Sequence, residues 1–179
     1  MKKAFMFLTL ITACVCLGSA ETKAADRIFV LMPNAQGQST DPTHLNWIDA
    51  YAVDFNLVKP ATGAPTAPPV AFLKGADKAS PLIIKALVTP LDQGIVKIEM
   101  CGIPPSGGPD RCYFKIELGL NDSVTDFHLT ESTCSNPTTC TPVHTESVTI
   151  SYAQLRTTFV SSNGAATTTC WNFAINRAC

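Results

Sequence analysis

Phe72-Leu73-Lys74-Gly75-Ala76-Asp77-Lys78-Ala79-Ser80-Pro81 is the stretch on which the reading of this 179-residue chain turns. It reads as the end of a strand, a polar turn and the start of a helix. Ser80 is a good N-cap residue, because its hydroxyl accepts a hydrogen bond from an otherwise unpaired amide. Pro81 suits the first helical position, where no amide donor is needed. The helix predicted from there runs from Ser80 to Val88, with Leu82, Ile83, Ala86 and Leu87 toward a core, Lys85 toward solvent, and Pro90 as the stop. Ile83, Ile84 and Val88 are β-branched and weaken its intrinsic helicity, so packing must hold it.

Upstream, Lys59 to Pro69 contains Pro60, Gly63, Pro65, Pro68 and Pro69, which excludes a helix or central strand and predicts a stiff extended loop. Before it, Trp47, Tyr51, Val53, Phe55 and Leu57 recur mostly at period two, predicting a strand with one aromatic-rich buried face. Ile28 to Met32 is a short apolar strand stopped by Pro33, and Asn34 to Asn46 is rich in turn formers. Downstream the pattern is β from Gly94 onward. Val96, Ile98 and Met100 alternate with Lys97 and Glu99, and Phe114, Ile116, Leu118 and Leu120 alternate with Lys115 and Glu117, which predicts a long hairpin. Phe127 and Leu129 mark a further strand. Val148, Ile150 and Tyr152 alternate, then the phase slips to Leu155, Thr157 and Phe159, which predicts a β-bulge near Ala153-Gln154. About seven strands and one helix result, in a single mainly β domain. An antiparallel meander, a barrel and a sandwich all fit this count, and closure would remove exposed edges.

The first 20 residues fit a secretory signal peptide: Lys2 and Lys3, an apolar run from Ala4 to Leu17, then Gly18-Ser19-Ala20, with cleavage after Ala20 or as late as Ala24. The apolar run of 14 residues is short of the roughly 20 that span a bilayer, so no transmembrane segment is expected after signal removal. Ile11-Thr12-Ala13-Cys14 resembles a lipobox, but apolar residues continue past Cys14, which suits an uninterrupted signal core. Removal of the signal takes Cys14 and Cys16 with it and leaves Cys101, Cys112, Cys134, Cys140, Cys170 and Cys179. An even number in an exported chain implies a disulfide framework, for which six cysteines allow fifteen connectivities. Spacing favours the sequential pairs 101–112, 134–140 and 170–179, each closing a short loop. A zinc site is the rival, and no CxxC or HxxxH spacing occurs to support it. Of 13 basic residues, Lys2 and Lys3 leave 11 against 14 acidic ones, a net charge of −3 on the mature chain. With no basic run, nucleic-acid binding has no electrostatic footprint.

From about Ile28 to Val160 the chain resembles the haemolysin-coregulated proteins (Hcp) of bacterial type VI secretion. The resemblance rests on the first strand and the Trp47 strand across a polar loop, on Asp77-Lys78-Ala79-Ser80-Pro81, and on Thr145-Glu146-Ser147-Val148-Thr149-Ile150 leading into Tyr152-Ala153-Gln154. It implies a compact β-barrel of two antiparallel sheets with one α-helix packed on its side, over residues 27–160. It also implies six-membered rings that stack into a tube, so a homo-hexameric ring is one expected assembly. The export signal and the cysteines depart from that family. Residues 161–179 form a disulfide-tied C-terminal extension, and Lys59 to Pro69 falls where the family has a protruding loop.

No catalytic site and no cofactor is expected. The serines lie outside any GxSxG elbow, and His44, His128 and His144 fall on different elements. His144 with Glu146 and His128 with Asp126 share strand faces by alternation alone, Asp126 and Glu131 make no better carboxylate pair, and isolated surface histidines are the plainer reading. Function is therefore expected at surfaces, with Pro65 and Pro68 on the stiff loop and Trp171 and Phe173 in the extension as interaction residues. The reading is of an exported, disulfide-stabilised binding or assembly protein, secreted or periplasmic. A secreted effector or virulence-associated protein leaving by type II secretion fits it, with a ring- or tube-forming subunit second and a secreted hydrolase third.

Overall fold

The structure is a computed structural model that describes residues 26–89, 92–103, 109, 111–132 and 143–179. The signal-peptide reading, Pro90, Cys134 and Cys140 lie outside the described residues. Ten strands and one helix follow in the order β1 Arg27–Leu31, β2 Ile48–Asp54, β3 Val70–Gly75, α1 Ser80–Val88, β4 Val96–Gly102, β5 Arg111–Gly119, β6 Ser123–Ser132, β7 Val143–Ser151, β8 Gln154–Val160, β9 Ala166–Asn172 and β10 Arg177–Ala178. They form one antiparallel sheet in the order β10-β9-β8-β5-β4-β1-β2-β3-β7-β6. The ladder is continuous, and among the described residues its end strands β6 and β10 do not pair with each other, so the expected barrel takes the form of one sheet, not closed, curled about one core.

That core is built from the inward residues of the alternating strands. Val30, Ile48, Phe72, Ile98, Leu118 and Ile150 are all buried, and Ile83 and Ala86 of α1 complete the same cluster. The helix lies against β6. Leu82 and Leu87, expected to face the core, are instead 41% and 37% exposed. Thr89 ends the helix in an extended conformation, as a residue preceding proline prefers.

Three local expectations are corrected. Ser80 is the first helical residue and Ala79 the cap, without a capping side chain. The Ser80 hydroxyl is engaged elsewhere: it accepts from the Asp77 amide at 3.0 Å and donates to Glu146 Oε2 at 2.8 Å. The turn is organised by Asp77, whose Oδ1 accepts from the Ala79 amide at 2.9 Å. Tyr51 is 62% exposed, because it is the surplus residue where the β2–β3 register slips between Ala50 and Ala52, while Val53 and Phe55 beyond it pack against the core. The phase slip near Ala153 is not a bulge but a corner between sheet neighbours: β7 pairs with β3 and β6, while β8 pairs with β5 and β9. Tyr152 is buried at that corner, and the Ala153 amide is held by the carbonyls of Gly119 and Leu120.

The β4–β5 hairpin carries a bulge with consequences for its cysteines. Met100 opposes Phe114, but Cys101 opposes Cys112, so Tyr113 is a surplus residue in β5. In an unbroken register Tyr113 would oppose Cys101, and Cys112 would face the core with Phe114. The bulge takes Tyr113 out of the alternation and so keeps Cys112 on the outer face beside Cys101, and the two are disulfide-bonded.

Candidate functional site

Beyond Asp54 the chain leaves the sheet and folds back on itself through an isolated bridge in which the Thr66 amide donates to the Val58 carbonyl at 3.1 Å. This proline-stiffened loop arches over β5, β8 and β9 and encloses a cleft of about 370 Å³. Phe55, Leu57 and Pro65 line it from the loop, Phe114 from β5, and Trp171 and Phe173 from the C-terminal segment. The lining carries one charge, that of Lys59. Three of the four interaction residues named from sequence, Pro65, Trp171 and Phe173, therefore meet across one cleft. Pro68 does not line it.

The far wall belongs to the C-terminal segment. β9 pairs with β8 along its whole length, from Gln154 opposite Asn172 to Val160 opposite Ala166, and so extends the sheet. β10 folds back on β9, and Cys170 is bonded to Cys179 across this short hairpin. Phe173 packs edge-on against Tyr152 with ring centroids 5.9 Å apart, which fixes that end of the wall to the core corner. Burial pushes the Tyr152 phenol up to about 12, and its hydroxyl has no hydrogen-bond partner among the described residues. A small, mostly apolar concavity with few polar groups suits an apolar or aromatic moiety.

A second constellation lies on the outer face of β4 and β5, under the loop between β1 and β2. His44 is buried there, its ring stacked on Phe29 at 4.0 Å and met edge-on by Trp47 at 4.8 Å. His44 Nδ1 is 2.9 Å from Asp41 Oδ1, and Nε2 is 3.1 Å from Glu99 Oε2, 3.6 Å from Cys112 Sγ and 4.0 Å from Cys101 Sγ. The Thr43 hydroxyl, His44 and the Thr43 amide all hydrogen-bond Asp41 and hold its carboxyl well below the usual carboxylate range. Arg27 pairs with Asp41 at 3.1 Å, and Lys115 with Glu99 at 3.0 Å. Sequence reasoning read His44 as one isolated histidine. The local signal was Asp41-Pro42-Thr43-His44, a turn in which an aspartate caps the following amides, but the partners on β4 and β5 are more than fifty residues away.

The other titratable residues named from sequence are dispersed. His128 on β6 and His144 on β7 are exposed, and each faces a residue other than its expected partner across the ladder: His128 opposes Ser147 and His144 opposes Glu131. Glu146 turns inward and is taken by Lys74. No helix among the described residues is long and apolar enough to cross a membrane.

The family model for the type VI secretion system effector Hcp matches residues 29–159, and the chain belongs to that family. Hcp1 from Salmonella typhimurium has a similar fold, with a TM-score of 0.70 at 20% identity over 87% of this chain and 99% of that one. A type six secretion system protein gives a TM-score of 0.71 at 17% identity, covering 87% of this chain and 100% of its own. A type VI secretion system effector from Yersinia pestis gives 0.65 at 16% identity, over 81% and 98% of the two chains. No curated protein matches the chain.

Proposed function

We propose that this chain is an exported Hcp-family protein that acts by binding, through the apolar cleft between its proline-stiffened loop and its disulfide-clipped C-terminal hairpin. The observation that carries this reading is the meeting of Pro65, Trp171 and Phe173 across that cleft, with the Cys170–Cys179 bond beside its wall. Lys2-Lys3 followed by an apolar run and Gly18-Ser19-Ala20 supports export by a signal peptide, and the cysteines support folding in an oxidising compartment. The test is to recover the native protein from periplasm and medium and weigh it. The expected mass lacks the first 20 to 24 residues and six cysteine protons. Titration with an apolar fluorescent dye then reports the cleft, and Trp171→Ala should abolish the binding. A cytoplasmic protein with its first residues intact and free thiols would defeat the export reading.

A second reading, a ring- or tube-forming subunit, is favoured by α1. Ile84, Leu87 and Val88 are 44%, 37% and 73% exposed along one side of a helix at the outside of the sheet, a face that a neighbouring subunit would cover. Light scattering at micromolar concentration separates the two: a stable hexamer supports the subunit, a monomer the binding protein.

A further inference from the structure

We propose that Cys101 and Cys112, once reduced, form with His44 and Glu99 a binding site for one zinc-type divalent cation. The proposal does not depend on the route of export or on the cleft. His44 Nε2, a Glu99 carboxylate oxygen and the two sulfurs lie within 4.8 Å of one another, so four donor atoms of the kinds that zinc takes already converge. Metal–ligand bonds of about 2.3 Å to sulfur and about 2.0 Å to nitrogen or oxygen place tetrahedral ligands roughly 3.3–3.8 Å apart. The observed separations from His44 Nε2 are 3.1 Å to Glu99 Oε2, 3.6 Å to Cys112 Sγ and 4.0 Å to Cys101 Sγ. The separation that must change is the one between the sulfurs, which are bonded to each other in the oxidised chain.

The surroundings suit a cation as well. His44 Nδ1 lies against Asp41 and Nε2 faces Glu99 and the sulfurs, so with Nδ1–H donated to Asp41 and the proton that Nε2 shares with Glu99 given up, Nε2 can take the ion. A carboxylate on the far nitrogen is the usual support of a metal-bound histidine. Two thiolates and a carboxylate exceed the charge of a divalent ion by one, and Lys115, 3.0 Å from Glu99 Oε1, offsets that excess. Stacking on Phe29 and burial of the ring fix the imidazole in place before any ion arrives. The bulge at Tyr113 is what keeps Cys112 on this face.

The chemistry requires a two-electron reductant. A phosphine reduces the disulfide and is oxidised to the phosphine oxide with the oxygen of one water, and the water's two protons convert the sulfurs to thiols. Each thiol gives up its proton as its sulfur bonds the ion, so binding releases two protons from the sulfurs and the one that Nε2 shares with Glu99.

The test uses the full chain with six of its eight cysteines changed to serine, leaving Cys101 and Cys112. After reduction and removal of the phosphine, cobalt(II) is titrated in. Expected are one bound ion per chain, a sulfur-to-metal charge-transfer band in the near ultraviolet, intense visible bands of tetrahedral cobalt, and displacement of all of these by zinc. The oxidised protein should show none of them. His44→Gln and Glu99→Gln should weaken binding at least tenfold, and Asp41→Asn, which acts through the imidazole, by about 10–100-fold. No charge-transfer band in the reduced chain, or equal affinity in the His44 and Glu99 variants, overturns the proposal. If reduction unfolds the chain, refolding on zinc with the same cobalt spectrum supports it, and a chain that stays unfolded overturns it.

Discussion

Lys74 Nζ stands 2.5 Å from Glu146 Oε2, and the two residues are direct cross-strand partners on β3 and β7 with no solvent exposure at the lysine. Asp77 at 2.7 Å, the Gly75 carbonyl at 2.7 Å and Ser80 Oγ at 3.1 Å complete the lysine's shell. The cluster ties the strand, the turn and the helix start of residues 72–81 to β7. Removing one partner strands the other charge in the interior, which costs about 3–5 kcal/mol. Lys74→Met, which strands Glu146 and Asp77 together, is expected to lose that much in urea unfolding, and Glu146→Gln less, because Asp77 still pairs with the lysine. Lys74→Met combined with Glu146→Leu should recover part of it, Asp77 alone then lacking its cation.

Asp122 offers a pH-dependent test. Burial, its largest influence, pushes its carboxyl up to about 6, the nearby Asp92 adds to this, and the Val96 amide opposes it. The folded chain therefore holds this proton more tightly than the unfolded chain. The resulting stability is complete below the ordinary value of 3.8 and is lost as pH rises through about 6. Asp122→Asn stays neutral and keeps an acceptor for Val96. Its melting temperature should match the wild type near pH 4 and exceed it above pH 7. A constant difference at both pH values would contradict this assignment.

Gly37 lies against the backbone of Trp47 and Ile48 in the loop that carries His44. A Cβ there would lie 2.6 Å from the Ile48 Cα and closer still to the Trp47 carbonyl, both backbone atoms that cannot swing aside. Gly37→Ala should cost about 1–3 kcal/mol, as overpacking does. In a Trp171→Phe background the emission of Trp47 should shift to the red as the loop lifts.

The Cys170–Cys179 bond closes a nine-residue separation at the edge of the sheet. Chain entropy assigns such a closure about 2–3 kcal/mol. Because the hairpin is terminal, its loss should be local. Cys170→Ser with Cys179→Ser is expected to accelerate hydrogen exchange in β9 and β10 while leaving β3 and β7 protected, and to weaken dye binding in the cleft.

Alternation carried most of what could be read in advance. Val96, Ile98, Ile116 and Leu118 are buried because period two is a local property, and the Asp77-to-Pro81 segment does begin a helix at Ser80. What failed depended on distant partners. Ser80 was read as a cap because serine usually is one, yet its hydroxyl is drawn to a carboxylate 66 positions away. Tyr51 and the corner at Ala153 were misjudged because a bulge and a change of sheet neighbours produce the same slip in phase. For the candidate sites, Pro65, Trp171 and Phe173 stood out by residue type alone. The His44 cluster did not, since its members come from a loop and two strands and have no short spacing between them to notice.

Tyr113 shows how much freedom a single supernumerary residue can have. A ladder without it would still set Cys101 against Cys112, so its excision would reverse no side chain and break no covalent link. What would vanish is the reach of its phenol to Asp26, 3.1 Å away, at the threshold of β1. Shortening β5 by one position would thus release Asp26 while the interior stayed as it is.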